Sequence, residues 1–154
     1  MMTLPSILDP LFKTGTAIQE FIAWKNKLDG KGKLLIIEMQ NNFRYLQMVS
    51  KKETDLDKVI HEITTGQYKQ LLSEGFRFSS VAKGKIKKAE SLKGTSLAGW
   101  AGKDSLALLH SLYSRVEELI IKYPYTGTAE KYNWTLRVNN ILRLTMLLLN
   151  HQRK

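Results

Sequence analysis

From Leu35 to Val49 the apolar residues Leu35, Ile36, Met39, Phe43, Leu46 and Val49 recur at steps of three and four, with amide and charged side chains between them. This is the spacing of one face of an α-helix and predicts a helix over Lys33 to Ser50. Leu34 to Ile37 alone would pass for a buried strand, but Gln40, Asn41 and Asn42 carry the longer period through to Phe43. Upstream, Asp9-Pro10 is a good helix start: an aspartate accepts from free backbone N–H groups, and proline at the first helical position gives up nothing by lacking its own. That helix runs to about Leu28 with Leu11, Ile18, Phe21, Ile22 and Trp24 as its apolar set and Gly15 as a weak point, and Asp29-Gly30-Lys31-Gly32 ends it.

Thr54 with Asp57, and Thr64 with Gln67, have the spacing at which a hydroxyl and an acid or amide satisfy each other's backbone donors. They predict short helices over Asp55 to Ile63 and Gln67 to Ser73, the second stopped by Gly75. Further on, Asp104 is placed to cap a helix whose stripe is Leu109, Leu112, Tyr113, Val116, Leu119, Ile120 and Tyr123, with Pro124 as its expected end. A last helix is expected over Ala129 to Asn150. Its main face is Trp134, Val138, Ile141, Leu142, Thr145, Leu148 and Leu149; Leu136, Leu144 and Leu147 broaden it, as in a helix packed on more than one side. Together these elements predict an all-α fold: a helical bundle of four long helices in two hairpins, with short helices and a basic connector between the pairs, forming one domain over residues 1–154.

Composition then singles out the connector. Arg77, Lys83, Lys85, Lys87, Lys88, Lys93 and Lys103 stand against Glu90 alone, six of the net ten positive charges of this 154-residue chain. Gly84, Gly94, Gly99 and Gly102 lie in the same stretch, so the charge is expected on mobile backbone. Positive potential of this size favours acidic macromolecules, nucleic acid or an acidic protein surface. The absence of cysteine excludes disulfides, thiolate nucleophiles and Cys-type zinc sites. Met1 to Pro5 carry no basic stretch and Asp9-Pro10 interrupt the first apolar run, so no secretory leader is expected. The most apolar run, Ile141 to Leu149, is broken by Arg143 and falls short of the ~20 residues needed to cross a bilayer. A soluble, cytoplasmic protein is expected.

The candidate chemistry is sparse. Leu97 to Asp104 approaches a phosphate-loop pattern, but Leu97 stands where a glycine is needed and Asp104 where a magnesium-binding hydroxyl is needed, so nucleotide hydrolysis is not expected. The connector lysines suit a phosphate backbone, and Phe76, Phe78 or Trp100 would supply stacking surface if exposed; nothing reads bases, so such binding would tolerate any sequence. His61, His110 and His151 lack sequence partners for acid-base work, and no His-Glu-x-x-His pair is present, so neither a metal nor another cofactor is expected.

Arg143 and His151 resemble the Arg and His, four to six residues apart, that helical-bundle ribonucleases of the HEPN group carry late in the chain, here with seven residues between them. Eight helical steps turn the two roughly 80° apart. The resemblance implies metal-independent RNA cleavage by Arg143 and His151. The leading expectation is instead a non-enzymatic protein that binds an acidic partner through the connector. Three further readings stand beside it: that ribonuclease, an interaction bundle that oligomerises through the apolar face of the last helix, and a membrane-surface binder using Leu11, Phe12, Phe21, Ile22 and Trp24 with Lys13, Lys25 and Lys27.

Overall fold

A computed structural model describes residues 17–88, 97–127 and 129–153. Its helices are α1 (Ala17–Asn26), α2 (Gly30–Ser50), α3 (Leu56–Val59), α4 (Gly66–Ser73), α5 (Ser105–Thr126) and α6 (Trp134–Arg153), with single 3₁₀ turns in the connections. The described residues contain no strand, only an isolated bridge between Lys85 and Asp104. The fold is all-α, as the periodicity predicts. The expected start of the first helix at Asp9-Pro10, with Leu11, Phe12 and Lys13, lies outside the described residues.

The apolar stripes become the core. Leu35, Ile36, Met39, Phe43 and Leu46 of α2 are buried, as are Leu109, Leu112, Tyr113, Val116 and Leu119 of α5. α6 packs on α1, α2 and α5, and α1 packs on α2. Leu144, Thr145, Met146, Leu147, Leu148 and Leu149 are all buried, so the second half of α6 is enclosed on every side rather than along one stripe. Of the apolar face expected to continue into a subunit interface, Leu144, Leu147, Leu148 and Leu149 are buried inside the molecule while Leu136 is exposed. Phe21 and Trp24 of α1 are also core residues, and only Ile18 and Ile22 of its described apolar set are exposed.

Helix ends are where tertiary structure departs from the local signals. α5 does not stop at Pro124 but runs two residues past it. A proline forfeits one hydrogen bond to the preceding turn, a small loss in a last turn where the Thr126 hydroxyl donates to the Lys122 carbonyl at 2.7 Å. The expected helix over Asp55 to Ile63 is a single α-turn that tightens into a 3₁₀ turn at Ile60–Glu62. Neither predicted capping box forms. The Glu38 carboxylate, from α2, accepts from the N–H groups of Gln67 at 2.8 Å and Tyr68 at 3.2 Å and so caps α4 across the fold. Asn42 fixes the approach to α4, donating to the Thr64 carbonyl and accepting from its N–H. The last helix begins at Trp134 rather than near Ala129, because Glu130–Tyr132 form a 3₁₀ turn and the Asn133 side chain caps the N–H of Leu136.

α2 ends with the N–H of Lys52 on the Val49 carbonyl and that of Glu53 on the Met48 carbonyl, a reversal that places Lys52 in the left-handed region at φ 62°. Glycine is the usual occupant of this position. Lys52→Gly is expected to stabilise the fold by about 0.5–1 kcal/mol, read as a higher denaturant midpoint at unchanged slope.

Candidate functional site

The connector is fastened to the fold at each described part. Phe78, Val81, Ala82, Ile86 and Leu97 are buried. The Trp24 indole N–H donates to the Val81 carbonyl at 3.2 Å. Gly32 of α2 approaches so closely that a Cβ there would sit 3.2 Å from a Val81 methyl. The N–H of Ile86 bonds the Lys103 carbonyl, that of Gly102 the Ile86 carbonyl and that of Ser105 the Gly84 carbonyl, each at 2.8 Å. Apolar side chains spaced between the lysines thus tie the backbone down around residues 78–86 and 97–105 while the charges point outward.

Arg77, Lys83, Lys85, Lys87, Lys88 and Lys103 are all exposed. Among the described residues none of the six forms an ion pair. Lys93 lies outside the described residues. The fastenings also bring in charges that the sequence kept apart. Val81 lies on Trp24 and Gly32, so the α1–α2 turn, with Lys25, Lys27, Lys31 and Lys33, reaches the same end of the molecule. Lys27 Nζ donates to the Gln152 carbonyl at 3.4 Å, and His151 Nε2 lies 2.8 Å from the Lys83 carbonyl, which adds the end of α6. Among the described residues, the acidic ones in or beside these segments are Asp29, Glu74 and Asp104, and Glu74 is paired with Lys31. One end of the molecule is thus a basic pole. The four lysines of the α1–α2 turn are visible in sequence as an alternating run, but only the packing of Trp24 and Gly32 on Val81 joins them to the connector.

The aromatic candidates divide. Phe78 is in the core, Phe76 packs edge-on against it at 5.1 Å, and both Phe76 and Trp100 are half-buried. Lys103 Nζ stands 5.3 Å from the centre of the Trp100 ring. Lys51 and Lys52 are not part of the pole: they follow Ser50, whose hydroxyl meets Asn139 near the start of α6.

Arg143 and His151 are not brought together. The Arg143 guanidinium reaches Asn140 at 3.2 Å, its Nε is buried without a partner, and burial lowers its pKa. His151 sits on the connector, about 12 Å further along the helix by its rise. His61 is exposed. No cluster of three or more His, Asp or Glu suited to a metal occurs among the described residues.

His110 does have a partner that sequence could not supply. Its Nδ1 lies 2.6 Å from the Tyr68 hydroxyl, and Tyr68 stacks on Tyr113 with ring centres 4.2 Å apart. Burial raises the pKa of Glu38 beneath this cluster, against the lowering pull of its hydrogen bonds from Gln67, Tyr68 and the Tyr113 hydroxyl. Burial also lowers the pKa of His110 below the ordinary 6.5. Between the lowered value and 6.5 the unfolded chain binds more protons than the folded one, so this group's contribution to stability falls as pH falls through that window and levels off below it. Thermal melts of the wild type and His110→Gln should therefore diverge in slope below about pH 6.5, with the wild type losing more.

The remaining concavity of note is an open cleft of about 740 Å³ at the far end, lined in part by Asp55, Asp57, Tyr123, Asn133 and Trp134. Two pairs of its polar groups engage one another, Ser50 with Asn139 and Tyr123 with Asp57. The Tyr123 hydroxyl donates to Asp57 at 2.7 Å; burial and that carboxylate push its pKa up to about 12, which keeps it a donor. No described helix is long and apolar enough to cross a membrane. Comparison with known proteins finds no matching family, no matching curated protein and no matching solved structure.

Proposed function

We propose that the protein binds nucleic acid through the basic pole, without reading bases and without chemistry of its own. The observation that carries this is the exposure of Lys83, Lys85, Lys87 and Lys88, none of which forms an ion pair among the described residues, on backbone that Ile86 and its hydrogen bonds hold in place. Fixed cations lose less freedom on meeting phosphate than cations on a free tether, so more of the electrostatic gain survives as affinity. In this reading the α1–α2 and α5–α6 pairs are two hairpins of a four-helix scaffold, and the connector spans one end of it. The α1–α2 turn supplies Lys27 and Lys33 as the second bank of the surface. Arg77 and Lys103 flank it, and Trp100 offers partial stacking area.

The ribonuclease reading needs Arg143 and His151 on one substrate. A guanidinium turned to Asn140 and an imidazole seated on a backbone carbonyl support binding rather than cleavage. An acidic protein surface is the competing partner, and competition separates the two. Labelled single-stranded DNA or RNA should bind with a steep salt dependence that unlabelled DNA of unrelated sequence competes away. Affinity for an acidic polypeptide alone would assign the pole to a protein partner.

A further inference from the structure

Trp100 stands apart from the other aromatic side chains at the basic pole. Trp24 and Phe78 are buried, and Phe76 packs edge-on against Phe78. Trp100 rests on the core but stays half-buried, and among the described residues its ring packs on no other ring. It ends the 3₁₀ turn Ala98–Trp100 and has small neighbours on both sides, Ala98 and Gly99 before it, Ala101 and Gly102 after. A Cβ at Gly99 or Gly102 would meet nothing within 4 Å, so the backbone flanking the ring borders open space. The turn is nonetheless fixed. Leu97 is buried, the Trp100 N–H bonds the Leu97 carbonyl, and the Gly102 N–H bonds the Ile86 carbonyl of the lysine-bearing segment at 2.8 Å. Lys103 is exposed, forms no ion pair among the described residues, and holds its Nζ 5.3 Å from the centre of the indole.

We propose that the basic pole takes single-stranded nucleic acid in preference to duplex, with Trp100 as the platform on which one unpaired base stacks and Lys103 as the cation that holds that nucleotide's phosphate. This rests on the nucleic-acid reading above and names the substrate class of that site. Every base has a π-face, so an indole separates unpaired from paired bases without reading sequence. Inside a duplex those faces are covered by neighbouring bases, and the ring reaches one only after it is unstacked. Duplex sequence is read by a helix or a two-stranded ribbon laid in the major groove. The described pole presents helix ends, turns and the connector instead, with the lone Lys85–Asp104 bridge as its β-structure. The Lys103 ammonium at the ring is a weaker contact than a stacked base, so an arriving base displaces it and frees the cation for phosphate. Two backbone hydrogen bonds, Gly102 to Ile86 and Ile86 to Lys103, seat the platform beside Lys85 and Lys87, which supplies cations for the adjacent phosphates.

The test uses the full chain and two fluorescein-labelled probes of equal length, an oligothymidylate and a blunt DNA duplex, at one salt concentration. The wild type is compared with Trp100→Phe and Trp100→Leu, and circular dichroism melts check the fold of each. The wild type should bind the single strand more tightly than the duplex. Trp100→Leu should lose roughly tenfold in affinity on the single strand and no more than about twofold on the duplex, and Trp100→Phe, with a smaller ring, should fall between. Unlabelled oligothymidylate should also quench the tryptophan emission of the wild type, since Trp24 and Trp134 are buried and Trp100 is the ring a base can reach. Equal losses on both probes, or none on the single strand, overturn the platform. Unquenched emission at saturation does the same, and it is read on the wild type whether or not Trp100→Leu folds. Tighter duplex binding by the wild type overturns the single-strand preference. Failure of the wild type to bind either probe overturns the nucleic-acid reading itself, and the platform with it.

Discussion

Replacing Lys83, Lys85, Lys87 and Lys88 together by glutamate should cut nucleic-acid affinity at least about a hundredfold at ~0.1 M salt, because four phosphate-facing cations become four repelling anions. The fold should survive. Each of these side chains is exposed and forms no ion pair among the described residues, while the segment is held by buried Val81, Ala82 and Ile86 and by backbone hydrogen bonds that the substitutions leave intact. Each replacement should thus change stability by no more than about 0.5 kcal/mol. Anisotropy titrations with a labelled single strand read the affinity, and circular dichroism confirms the helices. Loss of binding together with an unchanged melt locates the effect at the surface. Unaltered affinity would move the site away from the connector.

Leu148→Ala should be the most damaging single truncation, costing about 3–4 kcal/mol. Leu148 is 0% exposed and lies within the stretch of α6 that is enclosed on all sides, where α1, α2 and α5 converge. A helix packed against three others has little freedom to close a void, so the cavity term is expected near the upper part of its range. For a domain with a typical stability of roughly 5–15 kcal/mol this removes a large share. Leu136→Ala, on the same helix but 46% exposed, should cost less than about 0.5 kcal/mol. Urea denaturation of the two variants tests both figures, and equal losses would contradict the central placement of α6.

The core was legible because it is written in a local period. Most of the stripes of α2 and α5 and of the face of α6 is buried as its spacing predicts, Leu136 being the exposed exception. What was not legible depends on partners distant in sequence. Thr54 and Thr64 had correct capping spacing, yet Glu38 caps α4 from another helix, a choice invisible to a four-residue motif. Pro124 breaks helices in general, but in a last turn its missing N–H costs little. The connector's glycines and lysines suggest mobile backbone, while the residues that fasten it, Val81, Ile86 and Leu97, are single apolar positions with no period of their own. Of the candidate site, the charge was legible and the anchoring was not. Nothing in the chain order set Lys27 and His151 beside Lys83; Trp24 and Gly32 meeting Val81, and the imidazole meeting a carbonyl, did that.

Binding of nucleic acid by the basic pole is tested most directly by the salt dependence of wild-type affinity for a single-stranded oligonucleotide, taken from about 0.05 to 0.3 M monovalent salt. Four to six phosphate contacts by the basic pole predict a slope of log K against log salt of about −3 to −4. A flat line, or no binding at the lowest salt, would contradict it.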